Sequence, residues 1–280
     1  MHLGNIEVKF LDAGTFGLDG GAMFGVVPRV LWEKKSPPDA NNRIRMRANS
    51  LLVRAENRNM LIETGNGTKL DTKLRAIYNV QDGDPLLDSL ARTSVSPDQI
   101  DLVVNTHLHF DHCGGNTHVH LNSVVPTFPR ARHVVQRAEL EHAMHPTERD
   151  RASYFPENFT AISKEGLWDL VDGDTQILPG ISVACIPGHN ANIQAIVIVG
   201  GGKTLAFVAD LLPTRHHIPL PWIMAYDLFP LQTLETKRHW LTRMIAENWI
   251  VVFGHDPDVP AATLHQGDGK IEVEPVDLNL

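Results

Sequence analysis

Cysteine is scarce. Cys113 and Cys185 are the two in 280 residues, and neither belongs to a CxxC pair. A disulfide framework is thereby excluded, and a reducing compartment fits the composition. Long apolar runs are missing as well: no stretch approaches ~18 consecutive apolar residues, so no membrane span is expected. The opening segment Met1–Phe10 lacks the basic and apolar regions of a signal peptide, which points to a cytoplasmic protein. Basic runs are also absent. Lys plus Arg number 25 against 33 for Asp plus Glu, a formal charge of −8 that repels phosphate backbones. Nucleic acid and membrane are therefore not expected partners. With 42% hydrophobic and 21% charged residues, disordered and collagen-like chains are excluded too.

What is present is a run of strand and helix signals without a linker to divide them. Ile6–Leu11 reads as a first strand ended by Gly14, and 23–49 as irregular with apolar patches and a turn at Pro37-Pro38-Asp39. Leu51–Arg54 and Asn59–Glu63 read as paired strands around Glu56-Asn57-Arg58, and Ile100–Asn105 as a buried strand. A strand over 131–136 leads into a short helix. Four strands follow between 176 and 208, with Cys185 expected in the core. Thr233 is the expected N-cap of a helix to about Asn248, before a buried strand at Ile250–Phe253 and a hairpin at Gly267–Gly269. The whole span 1–280 is read as one domain, α/β, with helices outside two packed sheets.

Histidine is abundant, at 15 residues, and several cluster. Thr106-His107-Leu108-His109-Phe110-Asp111-His112-Cys113-Gly114-Gly115 directly follows the strand at 100–105. At period two His107 and His109 point the same way, and Asp111 and His112 can face that space after the chain turns. Three imidazoles and a carboxylate within six residues match the ligand preferences of zinc and similar metals. His118 and His120 continue at period two without joining this pattern, and Cys113 reads as a small apolar filler.

The segment resembles the HxHxDH signature of the metallo-β-lactamase superfamily. Pro187-Gly188-His189, Ala209-Asp210 and Gly254-His255-Asp256 each follow an apolar strand where that family places later ligands, and Glu63-Thr64-Gly65 resembles its early Asp-Thr-Gly turn. The resemblance implies a four-layered αββα sandwich. It implies two divalent metal ions, most simply Zn²⁺ with Mn, Fe or Co as alternatives. His107, His109 and His189 would hold one, Asp111, His112 and His255 the other, with Asp210 between them. It further implies a hydrolase whose metal-bridging hydroxide opens lactones or cleaves small apolar carboxylic esters, with Asp111 and Asp210 counted among the catalytic groups.

Within the family, the stretch before residue 50 and the tail after Asp210 resemble the quorum-quenching lactonase and methyl-parathion-hydrolase branch. Lactonases of that branch carry a tyrosine three residues after the bridging aspartate; this sequence has Pro213. Tyr226, with His216 as second choice, is the expected proton donor instead. Met23, Phe24, Trp32 and Trp222 are expected to wall the substrate pocket. Two further readings stay open: an organophosphate triester hydrolase, and a metal-bearing sensor or ligand-binding protein with little turnover. The apolar stretch 23–32 also leaves room for a homodimer.

Overall fold

Apolar residues at period two build the frame, because a strand sends successive side chains to opposite faces. In the computed structural model, which describes residues 1–279, they form two mixed seven-stranded sheets. The first begins with β1 (His2–Leu3), β2 (Ile6–Asp19), β3 (Arg43–Ala55), β4 (Arg58–Ile62) and β5 (Leu102–Val104). A separate hairpin intervenes, β6 (Thr117–His120) with β7 (Ser123–Pro126). Then β8 (Arg132–Gln136) and β9 (Trp168–Val171) complete the order 1-2-3-4-5-8-9. The second sheet runs in chain order through β10 (Thr175–Leu178), β11 (Ile181–Cys185), β12 (Gln194–Gly200), β13 (Lys203–Phe207), β14 (Ile250–Val252), β15 (Ala261–Gln266) and β16 (Ile271–Pro275). The helices are α1 (Gly20–Phe24), α2 (Arg29–Trp32), α3 (Thr72–Tyr78), α4 (Pro85–Ala91), α5 (Phe110–Cys113), α6 (Arg137–Met144), α7 (Thr160–Lys164) and α8 (Pro230–Ala246). Among the described residues no helix is long and apolar enough to cross a membrane.

The alternation sorts one strand into two cores. Leu51 and Val53 of β3, Met60 and Ile62 of β4, and Leu102 and Val104 of β5 point into the space between the sheets. There they meet Val183, Ala195, Ile198 and Phe207 of the second sheet. Leu52, Leu61 and Val103 face the other way, under Leu86 and Leu90 of α4. On the far side α8 lays Trp240, Leu241 and Met244 against the second sheet. Each such side chain contributes ~1.5–3 kcal/mol when fully buried, so the sandwiched layers dominate stability. This is the expected αββα arrangement.

Three local expectations are corrected. β2 does not stop at Gly14. Its pairing with β3 shifts register between Asp12 and Thr15, and Gly14, at φ 99°, lets the strand bulge and continue. Residues 43–49 are not irregular, because Arg43-Ile44-Arg45-Met46-Arg47-Ala48 alternates charged and apolar side chains, and β3 pairs with β2 as far as Asp19–Arg43. Cys185, expected in the core, is exposed at the end of β11.

α8 starts three residues before the expected cap, with Pro230 in its first turn and Phe229 at the N-cap. Thr233 lies inside the helix and is buried. The reason concerns the site: the first turn of α8 packs on the Pro187-Gly188-His189 turn. The Phe229 N–H donates to the Gly188 carbonyl at 2.9 Å, and the Thr236 hydroxyl to the Pro187 carbonyl at 2.7 Å. Gly188 has φ 147°, and a Cβ there would stand 2.5 Å from Thr233 Cα. Gly188→Ala should therefore cost roughly 2–4 kcal/mol in urea unfolding by forcing α8 outward. A wild-type midpoint would refute this close packing.

Candidate metal centre and active-site cavity

Parallel strands collect the polar residues on one edge. In the second sheet β12 is antiparallel to β11 and β13, while β13 and β14 are parallel, so β11, β13 and β14 run the same way. Their carboxyl ends deliver His189, Asp210 and His255. In the first sheet the parallel pair β4 and β5 delivers Glu63 and the 105–113 segment. His107 lies in the loop past β5, His109 sits at the N-cap of α5, and Asp111 and His112 lie within that helix. The expected extension of the strand through His109 is thus replaced by a loop and a helical turn. Gly114 allows the turn to press on Asn66, since a Cβ there would meet the Asn66 carbonyl oxygen at 2.1 Å.

All seven expected ligands come together, buried, in two groups. His107, His109, His189 and Asp210 form one; Asp111, His112 and His255 form the other, with donor atoms in each group within 4.8 Å of one another. Asp210 faces both. Its Oδ2 lies 3.2 Å from His189 Nε2 and 4.0 Å from His107 Nε2, and its Oδ1 lies 3.1 Å from His255 Nε2 and 3.4 Å from His112 Nε2. Asp111 Oδ2 is 3.6 Å from His255 Nε2.

Partners behind the imidazoles decide what those nitrogens can do. His112 Nδ1 contacts Glu63 Oε2 at 3.1 Å, His189 Nδ1 contacts Asp227 Oδ1 at 2.9 Å, and His255 Nδ1 contacts the Arg47 carbonyl at 3.2 Å. Carboxylates and carbonyls only accept, so each neutral ring carries its proton on Nδ1 and aims a bare lone pair inward. Yet His112 and His255 bring their Nε2 atoms to 3.0 Å, and His189 Nε2 stands 3.1 Å from His109 Nδ1. Converging lone pairs beside two carboxylates, with His107 Nε2 otherwise unpartnered, suit cations. The residues fit a dinuclear metal site.

Electrostatics supports the same reading. Burial, reinforced by neighbouring imidazoles, holds His107 and His109 well below the usual histidine range, in the neutral ligand form. Burial would lower His112 and His189 too, but the Asp210 carboxylate, joined by Asp111 and Glu63 at His112 and by Asp227 at His189, outweighs it and raises both. Burial opposes ionisation of Asp210, yet the surrounding imidazoles hold its pKa well below the carboxylate range. Without a cation this centre binds protons, and a cation must displace them.

The cavity over the centre is lined by His109, Asp111, His189, Asp210 and His255 below and by Met23, Tyr78, Phe110, Met224, Tyr226 and Leu228 around them. Met23 and Tyr226 therefore sit where the sequence placed them. Phe24, Trp32, Trp222 and His216 do not line it. Adjacent helical residues diverge by about 100°, so with Met23 on the cavity Phe24 turns into the core. Phe24 stacks between Trp32 (5.4 Å) and His217 (4.7 Å), and Trp222 meets its edge at 5.6 Å. These rings support the wall rather than form it. His216 faces a separate groove with Lys35, Arg215 and Lys270. The turn is set by His217, whose ring contacts the Thr214 hydroxyl and the Met23 carbonyl, each at 2.9 Å. Pro213 offers no side-chain donor, but its carbonyl accepts the His255 N–H at 2.8 Å.

Sequence reasoning missed Tyr78, Asp227 and Glu139. Asp227 directly follows the expected donor Tyr226 in the sequence, a signal that could have found it; Tyr78 and Glu139 carried no local signal. Glu139, on α6, accepts from the Leu108 N–H at 2.9 Å and the Tyr154 hydroxyl at 3.1 Å, and Tyr154 packs edge-on against His109.

This geometry is consistent with a dinuclear metal site, and comparison with known proteins places the chain among metal-dependent hydrolases. The family model "Metallo-beta-lactamase superfamily" matches residues 43–255, and the chain belongs to that superfamily. It is 24% identical to an N-acyl homoserine lactonase of Bacillus thuringiensis over 220 residues, 73% of this chain and 79% of the relative. A crystal structure of a probable metal-dependent hydrolase from Staphylococcus aureus superposes with TM-score 0.91 at 29% identity, covering 99% of each chain. AidC, a dizinc quorum-quenching lactonase solved with the product N-hexanoyl-L-homoserine, superposes with TM-score 0.81 at 18% identity over 99% of this chain and 96% of its own.

Two outcomes follow. Elemental analysis of protein purified without chelator should find two metal ions per chain; Asp210→Ala should lose both, whereas Asp227→Asn should weaken metal affinity by ~10–100-fold. A wild-type value of one or fewer would contradict the paired site. The second concerns Glu139, whose burial pushes its pKa from 4.5 to about 7. The unfolded chain ionises first as pH rises, so stability on the order of 3 kcal/mol is lost between about pH 4.5 and 7. Glu139→Gln should remove that slope from urea unfolding measured at pH 5 and 8. An unchanged slope would exonerate Glu139.

Proposed function

We propose that this protein hydrolyses small, fairly apolar carboxylic esters, with lactones as the preferred class. One observation carries the reading: each oxygen of buried Asp210 faces a separate group of metal-type donors. His107, His109 and His189 are assigned to one ion, Asp111, His112 and His255 to the other, and Asp210 to both. Nitrogen-rich sets of this kind favour zinc. Bound divalent ions supply an acidified water and polarise a carbonyl.

The chain's own residues do the rest. Glu63, Asp227 and the Arg47 carbonyl fix ring orientation, so the ligands need not reorganise during reaction. Met23, Phe110, Met224 and Leu228 bind the apolar body of the substrate and exclude water around the scissile bond. An alkoxide leaving group needs a proton. Tyr226 lines the cavity, and burial followed by the nearby Tyr78, Asp19 and Asp111 raises its phenol well above the usual value, so it holds a proton at neutral pH. The lactonase relative supports a lactone ring as substrate.

Steady-state assays of metal-loaded protein on aliphatic lactones, nitrophenyl esters and phosphotriesters test the reading. Lactones should show the highest kcat/KM, and chelation should abolish all turnover. A phosphotriester preference would replace the lactonase reading with an organophosphate hydrolase. Binding without turnover would point to a sensor.

A further inference from the structure

Above the candidate ligands, Leu18, Met23, Phe110, Met224 and Leu228 give the cavity an apolar wall, and a charge interrupts it. Of the described residues that line the cavity, Arg149 alone carries a permanent positive charge. The residue is exposed, so its guanidinium stands at the mouth. Resting on the ester-hydrolase reading, we infer that Arg149 is a specificity residue: it selects substrates whose apolar body ends in a carboxylate.

The guanidinium has donors to spare. A planar fork carries five N–H groups, and here Nη2 donates to the Ala225 carbonyl at 2.5 Å. The adjacent carboxylate does not neutralise it. Asp150 holds His142 Nε2 with one oxygen at 2.5 Å and accepts the Thr147 hydroxyl with the other at 2.6 Å. Arg149 pairs with no carboxylate among the described residues. On the floor, Asp111 and Asp210 face imidazoles of the centre.

Both segments joined by the Arg149–Ala225 bond are tied to the same half of the centre. Beyond Arg149, the Tyr154 ring packs on His109 with centroids 4.7 Å apart, and its hydroxyl accepts from Asn190, beside His189, at 3.3 Å. Beyond Ala225, Asp227 contacts His189 Nδ1 at 2.9 Å, and the Leu228 N–H donates to the His189 carbonyl at 2.9 Å. The guanidinium therefore bridges the mouth on the His109 and His189 side. Its backbone is fixed as well, since the Arg149 N–H donates to the Thr147 hydroxyl oxygen at 3.3 Å.

This arrangement suits a carboxylate. Two N–H groups of a guanidinium match the two oxygens of that anion, and a fork already held by Ala225 loses little freedom on meeting it. The chain as a whole carries a formal charge of −8, so its general field does not draw anions in. Attraction at this cavity must then come from the local cation.

The test uses metal-loaded protein and a short series of γ-lactones with alkyl tails, each ended by a carboxylate or by the neutral carboxamide of the same shape. Wild type should favour the carboxylate by roughly ten-fold in kcat/KM at its best tail length, mainly through KM. Arg149→Gln, checked for a wild-type thermal midpoint, should erase that preference. Arg149→Lys should keep part of it, and Arg149→Glu should invert it. Added salt should weaken the carboxylate substrate more than the carboxamide. A carboxylate-tailed cyclic ether, which cannot be hydrolysed, supplies a readout without turnover: in calorimetry it should bind Arg149→Gln roughly ten-fold more weakly than wild type. A wild type that does not favour the carboxylate at any tail length would overturn the assignment. So would an Arg149→Gln variant that keeps the preference or binds the ether as tightly. If wild type opens no lactone, the hydrolase reading fails, and the ether alone then decides whether Arg149 receives a carboxylate.

Discussion

Five imidazoles and two carboxylates forced into one buried space are the constraint on which the rest of the molecule depends. Their inward atoms are lone pairs and negative charge, which repel one another at 3.0–3.1 Å unless cations stand among them. Such a centre cannot assemble itself. It persists because two stiff sheets end there and because the His112, His189 and His255 rings are held from behind.

The supports come from distant parts of the chain. Glu63 from the end of β4 braces His112 and also accepts the Thr106 N–H at 2.6 Å, so one carboxylate sets both a ligand ring and the loop that carries another. Arg47 of β3 braces His255, and Asp227 braces His189 from the loop before α8. Lys237 of α8 in turn donates to the Pro219 and Trp222 carbonyls at 2.8 and 2.9 Å, pinning the loop that carries Asp227 and Tyr226. The candidate metal centre and the cavity wall therefore share one framework, and a disturbance in α8 reaches both.

The cavity shows how the same frame accommodates a changed residue. Pro213 gives up a side-chain donor but contributes a carbonyl that anchors His255. Two tyrosines line the cavity from α3 and from the 219–228 loop, two segments outside the strand ends that carry the candidate ligands. Loops are where such exchange is tolerated, because the sandwich holds its shape without them.

The clustering of the candidate ligands was legible in the sequence because its parts are local: apolar runs that must be strands, each followed closely by histidine or aspartate. The αββα layering was legible for a similar reason, since period-two alternation and a helical stripe are properties of short windows. The full length of β2 and β3 was hidden by arginines and by a glycine bulge, features that read as loop until a partner strand is seen. The pocket was misplaced because Phe24, Trp32 and Trp222 are aromatic in any reading, and only packing decides whether a ring faces solvent, ligand or another ring. His216 failed likewise, turned away by the two contacts its neighbour His217 makes. Tyr78 and Glu139 had no signal at all, for their neighbours at the site lie some thirty residues away along the chain. The sequence by itself determined which side chains converge at the strand ends; the tertiary structure alone decided what stands around them, because facing across a cavity is a relation between segments and not a property of either.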